Sequence, residues 1–313
     1  MSRKVIVGYQ ATNEGLDALE LGGVLAETLA ATPLVATVMP WPEYLMGSKD
    51  LERALEVDTA EIFATARDRL AHLDPETVAL ADHSPAEALY KLAEEEQASL
   101  VVIGSTHRGT LGRVLLGSMG VSLLHGAPCG IAVAPRGYAE RSQRNLLRVG
   151  VAFDGSSEAW SALETSIGFA ARLHASFTVL TVAEPARYGY GTSLSILTVG
   201  DHETYEQEDK RQILDRALAR VPGSLPVQGR LLNGPAGPCL KDAAADLDLL
   251  VLGSRGYGPL RRTLLGSVAA GVMNSAECPV LVLPRGAGMD PLGVREAADT
   301  TTSKPDRLAP QAS

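Results

Sequence analysis

The chain has 313 residues, 45% hydrophobic and 21% charged, with a formal net charge of -9. That length holds two domains of ordinary size, and that composition belongs to a globular chain with a buried core. The negative balance argues against nucleic acid and anionic membranes as partners, and three cysteines are too few for a disulfide framework. No apolar run reaches the ~18 residues of a membrane span. The segment Met1 to Val7 enters a strand at once, which leaves no room for a signal peptide and makes the cytoplasm the expected compartment.

In chain order, residues 5–8 read as a strand and 14–30 as a helix, with Leu16, Leu19, Val24, Leu25 and Leu29 at helical spacing. A strand at 34–38 follows, Pro40-Trp41-Pro42 breaks the pattern, and 51–73 reads as a long helix. Then come a strand at 77–80, a helix at 85–97 with Pro85 in its first turn, and a strand at 100–103. A short helix at 118–125 and a strand at 130–134 complete the set. Residues 136–145 are polar and charged and read as a linker.

The order then repeats, with strands at 148–153, 177–182, 227–232, 249–252 and 280–283. Helices are expected at 157–174, 201–221 and 236–247, and a loop carrying Tyr188 and Tyr190 at 184–200. From residue 286 the apolar periodicity stops, and 286–313 reads as a disordered tail, dispensable for folding. Strands alternating with helices imply parallel sheets covered on both faces. The apolar last strands of the two halves are edges that need covering, so the halves are expected to pack together as a pseudo-dimer.

Between the strand at 249–252 and a helix starting at Val268 lies Gly253-Ser254-Arg255-Gly256, followed after Arg262 by Leu264-Leu265-Gly266-Ser267. Strand, glycine-rich loop and helix start together suit a phosphate, because glycines let the backbone approach an anion and helix N-terminal amides point at it. The spacing is neither the Walker A pattern nor GxGxxG. The same stretch occurs 149 residues earlier, at Gly104 to Ser118, without a gap for over thirty positions. One position breaks the match: His107 stands where the second copy has Gly256.

Ligands of open parallel sheets bind beyond the carboxyl ends of strands, where the strand order reverses. The loop Phe153-Asp154-Gly155-Ser156 would meet the glycine-rich loop there. Asp154 can accept hydrogen bonds from a ribose hydroxyl or an adenine amino group, or it can serve as a helix cap or turn residue. Cys129 and Cys278 sit at equivalent places beside apolar strands and read as buried, inert thiols. Cys239 lies near a helix start, which can lower a thiol pKa. Six histidines are scattered with no HxxH or HxH spacing, no GxSxG occurs, and Glu94-Glu95-Glu96 reads as a solvated helix face.

Asp154-Gly155-Ser156, the Gly253 to Ser267 loop and the closing Cys278-Pro279-Val280-Leu281-Val282 resemble the universal stress protein family in type, order and distance, over residues 3–136 and 147–285. The resemblance implies an α/β fold of two tandem Rossmann-like domains, of the adenine nucleotide alpha hydrolase-like kind. Each would have a five-stranded parallel sheet of order 3-2-1-4-5 with helices on both faces. The corresponding division is 1–137, a linker at 138–146, 147–285, and the tail. It also implies ATP or AMP as ligand, with or without Mg2+, and assembly through the last strand, within the chain or as a homodimer, with protein partners an open question.

Carried over residue by residue, the resemblance places Ala152, Phe153 and Asp154 beside adenine or ribose and Val182 in the base pocket. It places Leu252 and Gly253 near ribose and phosphates, and Arg255, Gly256, Gly266, Ser267 and Val268 on the phosphate tail. The first half departs from this, with Gln10 in place of the carboxylate and His107 in place of a glycine. No catalytic base stands out. The reading is therefore a regulatory, non-enzymatic stress-response protein with one nucleotide site, in the second half. A ligand-free scaffold and a slow ATPase are the alternatives.

Overall fold

The structure is a computed structural model. It describes residues 3–39, 49–106, 110–124, 127–142, 144–184, 199–254 and 266–284, with the backbone alone at 49–58 and 199–205. His107, Arg255, Gly256, the loop with Tyr188 and Tyr190, Pro40-Trp41-Pro42 and the tail lie outside the described residues.

The first half runs β1 (Lys4–Gly8), α1 (Asn13–Leu29), β2 (Thr32–Met39), α2 (Lys49–Arg69), β3 (Glu76–Ala81), α3 (Pro85–Glu95), β4 (Leu100–Gly104), α4 (Ser118–Leu124) and β5 (Gly130–Ala134). The second repeats it: β6 (Arg148–Ala152), α5 (Ser157–Leu173), β7 (Ser176–Ala183), α6 (Val199–Arg220), β8 (Val227–Asn233), α7 (Ala236–Ala244), β9 (Leu249–Gly253), α8 (Ser267–Met273) and β10 (Val280–Leu283). Local chemistry sets the helix ends. Thr12 and Ser156 accept from the amides of Gly15 and Ala159 at the starts of α1 and α5, and Ser84 does so for α3 ahead of Pro85. Ala30 and His174 close α1 and α5 in the left-handed conformation.

All ten strands form one sheet, in the order β3-β2-β1-β4-β5-β10-β9-β6-β7-β8. Each half contributes the order 3-2-1-4-5 with parallel neighbours, and the only antiparallel pairing among the described strands is β5 with β10. There Val280 faces Val133, Leu281 faces Ala132 and Val282 faces Ile131. The two last strands, expected as edges in need of cover, cover each other. Gly130 makes the seam tight: a Cβ there would lie 3.1 Å from Leu283 and 3.2 Å from Leu281 of the other half.

Two apolar layers sandwich the sheet. One gathers Leu19, Leu25, Phe63, Phe169, Ile213 and Ala217 from α1, α2, α5 and α6. The other gathers Leu89, Leu123, Leu240 and Val272 from α3, α4, α7 and α8. The helices after β1 and β6 thus lie on one face and those after β4 and β9 on the other.

The segment between the halves is a fitted piece rather than a loose linker. Residues Tyr138–Glu140 form a 3-10 turn after Gly137, whose φ is +79°. The buried Asp17 of α1 accepts from the amides of Gly137 and Ala139, each at 2.7 Å. The Tyr138 ring is buried, its hydroxyl donates to the Arg144 carbonyl at 3.2 Å, and Arg141 lies over its face. Arg144 pairs with Glu20 of α1. A polar composition reads as linker because these groups find partners on α1 and across the seam, which local sequence does not display.

Candidate functional site

The carboxyl ends of β6 and β9 are neighbours, with Val151 beside Val251, and the helices that follow them leave to opposite faces of the sheet. That is the reversal point at which open parallel sheets bind ligands. Residues Ala152 to Asp154 on one side and Leu252 to Ser254 on the other line it.

Past β6 the main chain is pinned before it turns. The Phe153 amide donates to Leu180 O at 2.8 Å, and its carbonyl accepts from the buried Thr181 hydroxyl at 3.0 Å. Its ring faces the α5 layer, edge-on to Trp160 with centroids 4.8 Å apart. Phe153 therefore anchors the loop and offers the crevice neither its ring nor a free polar group. Asp154 comes next, half-buried. Its Oδ1 accepts from the Ser156 amide at 2.9 Å and the Ser156 hydroxyl at 2.6 Å, closing an Asx turn. Gly155 supplies the turn's positive φ of +85°. Oδ2 takes no hydrogen bond from the described residues. The turn role for Asp154 is thus realised, and it leaves one carboxylate oxygen over.

On the other strand, a Cβ at Gly253 would sit 2.9–3.0 Å from Glu158 at the start of α5, so this glycine lets helix and strand end close up. Beyond it, Ser254 N donates to Leu283 O at 2.8 Å, and Gly266 N returns to Ser254 O at 2.9 Å. Gly266 is the N-cap of α8 and has no side chain to satisfy the first-turn amides of Ser267 and Val268. Ala152, Val182, Leu252 and Val268 all belong to the α7–α8 layer, with Val182 and Ala152 only partly buried. The structure thus places Ala152, Asp154, Val182, Leu252 and Gly253 at or just past the carboxyl ends of β6, β7 and β9, and Gly266, Ser267 and Val268 at the start of α8. Arg255 and Gly256 lie outside the described residues.

Sequence reasoning missed Thr181. Its equivalent in the first half, Thr37, likewise donates to the Tyr9 carbonyl, at 2.9 Å. The recurrence of Thr at the same place in β2 and β7 was a usable signal. Cys239 gains no activation from its place near a helix start. Burial, with Asp242 and Glu184 nearby, raises its pKa, so the helix start does not activate it. Burial pushes Cys129 and Cys278 up to about 12, which fits inert thiols. Glu94 and Glu96 are not merely solvated, since Glu94 accepts from the Tyr90 hydroxyl and Glu96 pairs with Lys4, each at 2.8 Å. The one group of potential metal ligands found among the described residues is Asp82, His83 and Glu87. Lys91 bridges its two carboxylates, at 3.5 and 3.0 Å, and supplies the positive charge there.

Among the described residues no helix is long and apolar enough to cross a membrane. The sequence model of the Universal stress protein family matches residues 1–135 and 146–284. A universal stress protein of Mycobacterium tuberculosis is 28% identical over 291 residues, covering 90% of this chain and 99% of its own length. Another from the same organism is 28% identical over 296 residues, covering 89% and 96%. The crystal structure of a universal stress protein from Archaeoglobus fulgidus shares the fold, with a TM-score of 0.62 at 17% identity over 92% of this chain and 98% of that one. Two matches to one family model, laid end to end on halves that repeat one fold, make this chain a tandem member of the universal stress protein family.

Proposed function

We propose that the second half binds an adenine nucleotide, ATP or AMP, at the junction of β6 and β9, and that the protein acts by that binding rather than by catalysis. The observation that carries this is the pairing, at one reversal point, of the uncapped α8 start with the spare oxygen of Asp154. The amides of Ser267 and Val268 suit phosphate oxygens, and the Ser267 hydroxyl adds a donor. Asp154 Oδ2 suits a ribose hydroxyl or the adenine amino group. The partly buried Ala152 and Val182 offer an apolar bed for a base. The family resemblance assigns Arg255 and Gly256 to the phosphates, and Leu252 and Gly253 suit the ribose side. Phe153 holds the loop from behind. Mg2+, if it accompanies the nucleotide, would be bound by phosphate oxygens. The cytoplasm and protein partners complete the reading of a regulatory stress-response protein.

Isothermal calorimetry with ATP on the intact chain tests it. One equivalent per chain is expected, weakened in Asp154→Ala and lost in Gly256→His, which blocks the loop. No binding by the parent chain, or undiminished binding by Gly256→His, would give first place to a ligand-free scaffold.

A further inference from the structure

Residues 112–114, on the way from β4 to α4, belong to the first half but are held by the joining segment and by the second half. The Gly112 amide donates to Arg136 O at 2.8 Å, and the Arg136 amide returns to Arg113 O at 3.0 Å, so the joining segment sets out alongside this stretch. Gly137 lies against the neighbouring Leu111, and a Cβ there would come within 2.8 Å of the leucine side chain. The Val114 amide crosses the seam and donates to the Ala276 carbonyl, just past α8, at 2.8 Å. Val114 and Ala276 are fully buried, so losing that bond would strand polar groups away from water.

Arg141 meets all three pieces. Its guanidinium lies over the buried Tyr138 ring, 5.6 Å from the centroid, which fixes it to the joining segment. From there Nη2 donates to the Glu277 carbonyl at 2.7 Å and, more loosely, to the Gly112 carbonyl at 3.4 Å. One charged donor thus bridges main-chain acceptors of the two halves. Arg113 adds an ion pair to the Glu277 carboxylate at 3.0 Å, but those side chains are 40% and 43% exposed, so water screens it. The clasp occurs once in the repeat. Arg141 belongs to the segment that joins the halves, and 149 residues before Glu277 stands Pro128, which has no carboxylate.

We infer that Arg141 is a clasp by which the second half holds the first half's residues 112–114, so that this stretch keeps its path only while the halves are docked. Amide hydrogen exchange on the intact chain carrying Arg141→Met tests it. The Gly112 and Val114 amides are expected to exchange about tenfold or more faster, while the amides of β2 and β7, inside the sheet of each half, change by less than about twofold. Unchanged exchange at Gly112 and Val114 would overturn the inference. Equal speeding in β2 and β7 would do so too, because it would mean a general loss of stability in place of a released stretch.

Glu277→Gln removes only the exposed ion pair and leaves the carbonyl that Arg141 holds. It is expected to change the two amides by less than about threefold. An effect as large as that of Arg141→Met would hand the holding to the carboxylate and overturn the role of Arg141. Should Arg141→Met fail to fold, Arg141→Gln takes its place, being polar but too short to bridge the two carbonyls. The same pattern of exchange is expected of it, and the same two results would overturn the inference.

Discussion

The Ser156 hydroxyl lies 2.6 Å from Asp154 Oδ1, so the residue that caps α5 also fixes the carboxylate at the candidate site. The two roles can be separated. Ser156→Ala removes the cap and is expected to cost about 1 kcal/mol of stability. Asp154→Ala is expected to weaken ATP binding by about 1–3 kcal/mol, since it leaves the ligand's polar groups unpaired. Asp154→Asn keeps an acceptor for the turn, so it should melt close to the parent while binding less well. Thermal melts and calorimetry on the three variants check this, and equal binding by all three would count against a ligand role for the carboxylate.

The seam between β5 and β10 leaves no room for a side chain at Gly130. Gly130→Ala must displace Leu100, Leu281 or Leu283, and is expected to destabilise the chain by about 1–3 kcal/mol through overpacking. Because the crowding atoms come from both halves, the melt of the variant should remain a single transition displaced downward. A melt that splits, with one half unaffected, would show that the seam contributes little.

Asp17 ties α1 to the segment between the halves. Removing it in Asp17→Ala strands the amides of Gly137 and Ala139, at a cost of about 1–3 kcal/mol. Burial outweighs those two donors and raises the Asp17 carboxyl above the usual 3.8. A carboxyl raised in the folded state favours folding most when protonated, and that contribution fades as pH rises through the folded value. The stability gap between parent and Asp17→Ala is therefore expected to widen as pH falls from neutral toward 3.8. Melts across that range read it, and a gap that narrows would show that the two amide donors dominate.

Thiol chemistry offers a further check. With Cys129 and Cys278 pushed up to about 12 by burial, almost no thiolate is present at neutral pH. Iodoacetamide should leave both untouched in the native chain. Cys239 is partly exposed but also raised, so it should react slowly and faster with increasing pH. All three cysteines should be modified after unfolding, as counted by mass spectrometry.

Much of this architecture was legible in residue type and spacing. Helical periodicity such as Leu16, Leu19 and Leu25, short apolar runs such as Leu249 to Leu252, and caps such as Ser84 before Pro85 act within a few residues of one another, so the ten strands and eight helices among the described residues follow from local pattern. The repeat itself foretold that two apolar last strands would need each other. Its antiparallel register, and the loss of room at Gly130, required both strands to be in place. The folded segment at Tyr138 was hidden because its partners, Asp17 and Glu20, lie over a hundred residues away in sequence. Asp154 announced itself as a carboxylate after a strand, yet only the structure divides it into one oxygen for the turn and one to spare. The Gln10 main chain meets the first turn of α1 where Gly15 carries no Cβ, and main-chain positions of that kind are settled by tertiary packing rather than by the residue type that carries them.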